Sequence, residues 1–348
     1  MVTTFLEAAA GTVIVAAVMA DVFATVLVPG PAFGGRGIAG WTKALVLPAW
    51  QHLSAVQGER RALSNVFAPS LFALAFVSWL LLLVGGFGLL FHAARDLFEP
   101  AIETFSQAAY VAGSSVLTLG VSEVDAQGLA RWLILVAALC GFSVITASIT
   151  FILQVQSALH QRETQVMTLS GMAGRPATAL TLLETFAALE LKEELPGFFR
   201  AWRDWSASLL HSHVASPVLG YFHSVDSEND WVTALSVVLD AATAINVLTD
   251  EPARGSAALM HRSGARTAAH LCNLYRLPSP DAVPVGEDTI ERFASALEEL
   301  GYSVRRENAA ERFSKMRADY RGRLEALALH LGSSATDLMP AASLDHPR

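Results

Sequence analysis

The sequence predicts an all-α membrane protein, with three transmembrane helices, a re-entrant segment and a helical cytoplasmic domain. Three observations carry that expectation. Hydrophobic residues make up 53% of the 348-residue chain and charged residues 16%, with a mean hydropathy of +0.41, whereas soluble proteins average roughly 25% charge. The charge is also unevenly spread: residues 1–158 hold 6 Lys/Arg and 8 Asp/Glu, and residues 159–348 hold 18 and 24. Finally, 66–91 and 132–159 contain no formally charged residue, and each is longer than the roughly 20 apolar residues that cross a bilayer core. The expected organisation is 1–65, a first transmembrane helix and an interfacial segment; 66–159, a membrane module; and 160–348, a helical cytoplasmic domain.

The first span, 8–28, is interrupted by Asp21. A carboxylate at mid-helix costs about 2.5 to 3.5 kcal/mol on the insertion scale, against a return of about 0.3 to 0.6 from each large apolar residue. No Lys or Arg lies in any expected span to pair with it, so hydroxyls such as those of Thr25 or Ser78 are its candidate partners. A cleaved signal peptide is the competing reading, but MVTTFLEAAA has no basic n-region.

Orientation follows from basic residues in short loops, which resist translocation. Residues 30–65 hold Arg36, Lys43, Arg60 and Arg61 against Glu59, which makes that loop cytoplasmic. Residues 92–130 hold Asp96, Glu99, Glu103, Glu123 and Asp125 against Arg95, which puts them outside. The expectation is a multi-pass plasma-membrane protein with its N-terminus outside and its C-terminal domain in the cytoplasm. Residues 41–53 (WTKALVLPAWQHL) suit a helix at the inner interface, kinked at Pro48. A connecting helix packed on its neighbours fits equally well.

The segment 101–128 is too polar and too short for another crossing, yet too apolar for an ordinary loop. Non-helical backbone at membrane depth is tolerated where protein buries it or water reaches it. A re-entrant segment beside a wet pathway meets both conditions. Within it, Ser114, Ser115 and Thr118 bring hydroxyls just ahead of Gly120.

Here Thr118, Leu119, Gly120, Val121, Ser122 and Glu123 read TLGVSE. Span, helix-compatible stretch, this motif and a second span resemble the pore module of the potassium channel family, whose filter reads TVGYGD. Thr118 and Gly120 match that pattern, Leu119 replaces Val and Glu123 replaces Asp, while Val121 and Ser122 depart from it. The resemblance covers about 66–158. It implies a homotetramer in which Thr118, Leu119, Gly120, Val121 and Ser122 form a selectivity filter whose carbonyl oxygens replace an ion's hydration shell. Glu123 and Asp125 would form an acidic outer mouth. Potassium is the expected permeant ion, with selectivity weakened at Ser122, because a non-glycine residue in left-handed geometry costs roughly 1 to 2 kcal/mol. A surface or re-entrant loop without permeation is the plainer alternative.

In the third span, Ser143, Thr146, Thr150, Gln154 and Ser157 recur at helical spacing. On an axis, Ser143, Thr146, Thr150 and Gln154 would line a pore, as the inner helix of that family does, with Gly141 as a bend. Helix–helix adhesion is the alternative use of such hydroxyls. Gly85, Gly86 and Gly88 read as sites of close helix approach.

Beyond residue 159 the pattern is helical. Trp231, Leu235, Val238, Ala242 and Ile245 form one apolar face, as do Ile290, Phe293, Leu297 and Leu300. Phe313, Met316, Tyr320, Leu324, Leu327 and Leu331 read as the seam of one last helix. Residues 170–176 and 276–288 read as linkers. His211, His213, His223 and Asp226 are the best cluster for metal or acid–base chemistry, but their spacing is loose. Cys140 and Cys272 supply no disulfide framework or zinc motif, and no Walker loop, HExxH or GxSxG is present. The expectation is therefore no enzyme, no resident metal and no cofactor beyond a permeant monovalent cation. Expected partners are membrane lipid and further copies of the chain. A net charge of −8 and pI near 5.7 disfavour nucleic acid. From another functional class, a non-conducting membrane-anchored sensor or transducer with a ligand- or partner-binding helical domain remains open.

Overall fold

The computed structural model describes residues 2–26, 60–175, 177–222, 230–278, 280, 284–331 and 338–339. The interfacial reading of 41–53 lies outside them. The chain divides into two compact units, Met1–Gln156 and Ser157–Arg348.

In the first unit, α1 (Val2–Val26) packs along α2 (Arg60–Ala93). Three ties run in opposite directions along the two helices, which are therefore antiparallel. His92 Nδ1 meets Glu7 Oε2 at 2.9 Å, Gly11 faces Gly86, and Trp79 Nε1 donates to Asp21 Oδ2 at 2.7 Å. The two glycines decide how close the helices come: a Cβ on Gly11 would lie 2.6 Å from the Gly86 carbonyl oxygen, and one on Gly86 would lie 2.9 Å from Val15. Gly85 has no neighbour of this kind within 4 Å. Asp21 thus accepts from an indole N–H, a donor that the sequence does not point to. Tryptophan is a donor with no acceptor, so the carboxylate's demand for a proton donor is met by a side chain that is otherwise apolar.

After α2 the chain forms a two-residue strand, β1 (Phe98–Glu99), then α3 (Phe105–Val116), then a second short strand, β2 (Asp125–Ala126). The third long helix, α4 (Leu129–Ala173), follows at once and continues through Gln156 into the second unit. Its helical course includes Ser170 to Ala173, so the linker expected over 170–176 is confined to the residues after Ala173.

The second unit is a helical assembly comprising α5 (Ala179–Ala188), α6 (Leu195–Ala215), α7 (Trp231–Leu248), α8 (Arg254–Tyr275), α9 (Glu287–Glu299), α10 (Ala309–Ala318) and α11 (Arg321–Leu331). α7 is its axis. Sequence predicts one apolar face on this helix, but every side chain except Asn246 is buried. α8, α10, α11 and α5 surround it, as a helix hydrophobic on all sides requires. Asp230 caps its start, accepting from the N–H groups of Val232 and Thr233 at 2.9 and 2.8 Å.

One charge lies inside this core. Asp240, 1% exposed, accepts from Arg317 Nε at 2.9 Å and from the Tyr320 hydroxyl at 2.6 Å. Arg321 lies 4.0 Å away and also donates to Ser236. Burial alone would lower the Arg317 pKa, but the adjoining Asp240 raises it above its ordinary value; burial and then Asp240 push the Tyr320 phenol well up. The single last helix expected from the seam is two helices, divided at Asp319 and Tyr320. The break turns Tyr320 and Arg321 toward Asp240 as well as Arg317, which supplies a physical reason for it.

Candidate functional site

The segment between α2 and α4 leaves and returns at one level. Phe98 pairs with Ala126 and Glu99 with Asp125 in an antiparallel ladder. The Gln127 N–H extends the closure to the Leu97 carbonyl at 2.7 Å. Arg131, at the start of α4, donates to the Ala126 carbonyl at 2.9 Å. Everything from 100 to 124 is thus an excursion whose two ends are tied together.

The excursion is built around α3, and its sequence explains its place. Thr104 caps it by accepting from the Gln107 N–H. Small residues then let it lie against α2: a Cβ on Gly88 would sit 3.3 Å from the Ala109 Cα, and Gly113 faces Val84. Residue number falls along α2 as it rises along α3, so the two run antiparallel. At the far end, a Cβ on Gly141 would lie 1.9 Å from the Val116 carbonyl oxygen and 2.7 Å from its carbon. Gly141 is therefore the seat for the end of α3, which is a different role from the bend expected of it. It lies twelve residues beyond Leu129, roughly 18 Å along the helix at 1.5 Å per residue.

α3 ends in a Schellman motif. The Thr118 N–H bonds the Ser115 carbonyl and the Leu119 N–H bonds the Ser114 carbonyl, at 3.0 and 2.8 Å. Thr118 has φ 57° and Gly120 has φ 70°; Ser122 does not adopt positive φ. A β-branched residue in this region costs roughly 1 to 2 kcal/mol, so the non-glycine strain falls at Thr118, four residues earlier than the sequence argument placed its cost. Ser122 instead closes a local turn, its hydroxyl donating to the Val124 carbonyl at 2.7 Å and accepting from the Val124 N–H.

The five residues 118–122 are all exposed on the single chain, with Leu119 and Val121 at 65% and 54%. Glu123 and Asp125 are exposed beside them. Glu99 stands directly across from Asp125, an opposition of like charges that costs a small amount of stability.

α4 presents three faces. Ala137, Gly141, Val144, Ser148, Phe151 and Val155 are buried against the rest of the unit. Roughly 140° around, at 3.6 residues per turn, Ser143 is half-buried and Thr146, Thr150 and Gln154 are exposed. Ser143 and Thr150 satisfy their hydroxyls on their own helix, at the Leu139 and Thr146 carbonyls. Leu135, Phe142, Ile149 and Leu153 form a separate exposed apolar face. Within one protomer the polar stripe is not used for helix packing.

The histidine cluster is not assembled by the described residues. His211 is exposed and His213 fully buried on α6, and His223 and Asp226 lie outside the described residues. No group of three metal-ligating side chains occurs among the described residues. His213 instead belongs to the core, its Nδ1 at 2.8 Å from the Leu209 carbonyl and its ring 5.1 Å from Trp231. Burial, then the nearby Arg162, lower its pKa to about 3.

Sequence reasoning missed Trp79, Glu99 as the neighbour of Asp125, and the contact of Gly141 with Val116. Each is a pairing of residues distant in sequence; the local signals were an isolated glycine in a helix and an acid within an apolar span.

Among the described residues, four helices are long and apolar enough to cross a membrane: Val2–Val26, Phe72–Ala93, Leu129–Ala173 and Trp231–Leu248. The last is enclosed by protein over 94% of its apolar window, against 22%, 39% and 17% for the others. The chain is 22% identical over 209 residues to a Bacillus subtilis (strain 168) protein named "Uncharacterized membrane protein YdjJ". The protein is an all-α membrane protein. The match takes in 58% of this chain, which spans 60% of that relative's length. No protein-family model and no solved structure matches it.

Proposed function

We propose that the protein is a homotetrameric pore-loop cation channel, conducting potassium or monovalent cations with poor selectivity, with its second unit serving gating or assembly. In this reading α1, α2 and the first part of α4 span the plasma membrane, the N-terminus is outside, and the second unit is cytoplasmic. Basic residues at 36, 43, 60 and 61 and acids at 96, 99, 103, 123 and 125 support that orientation.

One observation carries the proposal: the excursion from 100 to 124 begins and ends at the same level, while its helix ends roughly 18 Å along α4, near the middle of a layer of roughly 30 Å. That form supports a re-entrant segment. Its C-terminal carbonyls carry the negative end of the α3 dipole toward Thr118 to Gly120, which favours a cation there. Glu123, Asp125 and Glu99 would gather cations at the mouth. Thr118, Leu119, Gly120, Val121 and Ser122 would coordinate them, and Ser143, Thr146, Thr150 and Gln154 would rehydrate them below. A single loop lines only one side of an axis, so several copies must meet, and the resemblance to the potassium channel pore implies four.

A non-conducting membrane-anchored transducer has one observation in its favour, the Schellman ending that commits Thr118 to terminating α3. Flux from proteoliposomes, compared for potassium and sodium, separates the two. The channel reading expects cation flux that Thr118→Ala and Gly120→Ala alter without disrupting assembly. Absence of flux from a dimeric protein would favour the transducer, and permeation unchanged in both variants would remove the filter assignment.

A further inference from the structure

Many arginines of the second unit meet acids. Arg306 meets Glu291 and Glu298, Arg254 and Arg305 share Asp250, Arg321 meets Glu325, and Arg203 meets Asp204. In a segment with more acids than bases this is easy to arrange. One groove gathers three arginines around a single space. It has a volume of about 450 Å³ and is lined by Arg262 and Arg266 of α8, Arg323 of α11, and Asp319, His261 and Met316 among others.

Arg262 and Arg266 lie one turn apart, and Arg323 comes from a different helix. Three guanidinium groups therefore surround a space that holds one carboxylate, Asp319. His261 takes part of that acid's field at 3.9 Å, while its own Nε2 is 3.0 Å from the Met316 carbonyl. Arg323 donates to the Asp319 carbonyl oxygen. Arg262 makes no ion pair or hydrogen bond among the described residues, and the contact of Arg266 is with His270, not an acid. Like charges at this helical spacing cost a few tenths of a kcal/mol, so packing gives no reason to gather them.

We propose that this groove binds a phosphate group, borne either by a small soluble phosphate or by a lipid headgroup. Planar guanidinium forks match phosphate oxygens in pairs and stay charged at any physiological pH. The volume lies within the usual range of roughly 300 to 1,000 Å³ for small-ligand sites. Ala265 and Met316 supply apolar wall for the remainder of the ligand. The site stands apart from ion conduction, because binding is measured directly and needs no pore.

The test uses the full chain purified in detergent. Calorimetry with inorganic pyrophosphate and native mass spectrometry with phosphatidic acid, against phosphatidylcholine, distinguish the two sources. Arg262→Ala and Arg266→Ala are each expected to weaken binding about tenfold or more, the loss of a charge-assisted hydrogen bond, while exposed Arg200→Ala leaves it unchanged. Unliganded melting temperatures matching the parent's verify that the variants fold. Arginine-dependent binding of pyrophosphate supports a soluble phosphate, and arginine-dependent retention of phosphatidic acid alone supports a headgroup. Binding of neither probe, or binding indifferent to both substitutions, overturns the proposal.

Discussion

α1 and α7 are both apolar helices, and each carries one aspartate. They solve that problem differently. Asp21 on α1 takes a hydrogen bond from Trp79 and keeps broad apolar surface around it, with Val13 and Phe23 67% and 59% exposed. Asp240 on α7 is held by Arg317 and Tyr320, with Arg321 nearby, inside a helix wrapped by protein. Apolar length alone therefore does not distinguish a helix with a broad exposed apolar surface from one enclosed by protein. What covers the helix does, and so does the kind of partner its charge finds. An indole suits a lipid surround because it brings no second charge. Guanidinium groups suit an enclosed helix, where they bring the opposite charge and the hydrogen bonds that a buried carboxylate needs.

The comparison can be broken most strongly at the ion-paired end. Asp240→Ala strands the guanidinium of Arg317 in the core, and removing one partner of a buried pair costs about 3 to 5 kcal/mol. Denaturant unfolding followed by tryptophan fluorescence should register that loss in the second unit. A loss below about 1 kcal/mol would mean the network is solvated.

At the seat of α3, Gly141→Leu drives a side chain into the Val116 backbone. Overpacking of this kind costs about 1 to 3 kcal/mol, and displaces the end of the excursion. Cation flux should fall to background while the second unit's unfolding transition stays in place. Retained flux would show that α3 does not need this contact.

The second unit also has a pH signature that the first is not expected to share. His213 is neutral in the fold because its pKa is lowered to about 3, whereas the unfolded chain protonates it near 6.5. Unfolding therefore takes up a proton below about pH 6.5. Stability is full above that value and is lost as pH falls toward 3, at up to about 1.4 kcal/mol per pH unit. His213→Gln should flatten this part of the stability profile, and an unchanged slope would assign it to other groups.

The smallest hydrogen-bond contribution is expected at Trp79: Trp79→Phe removes the donor to Asp21 together with part of a buried ring, and the bond itself accounts for about 1 kcal/mol of the loss. The double variant with Asp21→Ala should lose less than the sum of the singles, as a double-mutant cycle on detergent-solubilised protein would measure. Additive losses would show that the two side chains do not interact.

How much of this was legible in the sequence depends on the range of the interaction. Charge-free runs give the long helices directly, because lipid penalises every formal charge within one short window. The helix at Phe105–Val116 and the hydroxyl stripe on α4 were also readable, since both are periodicities of adjacent turns. Contacts between distant residues were not. Trp79 lies 58 residues from Asp21, and Tyr320 lies 80 from Asp240; composition cannot say which donor reaches which acid. The division between α10 and α11 was hidden for the same reason, as the apolar seam continues across it while Asp240 sets the break. At the candidate filter, the TLGVSE motif supplied the residues but not the backbone. Thr118 is recruited to end α3, a requirement created by where that helix stops.

Conduction by this protein requires the residues near Gly120 to reach into the bilayer and meet other copies of themselves around water. A single-particle density map of the assembled protein in lipid nanodiscs tests this most directly. The predicted result is four copies of the 118–122 backbone facing a central opening, with Ser143, Thr146, Thr150 and Gln154 lining the space beneath. A map with those residues lying against lipid, or with the protomers joined and no opening between them, would contradict it.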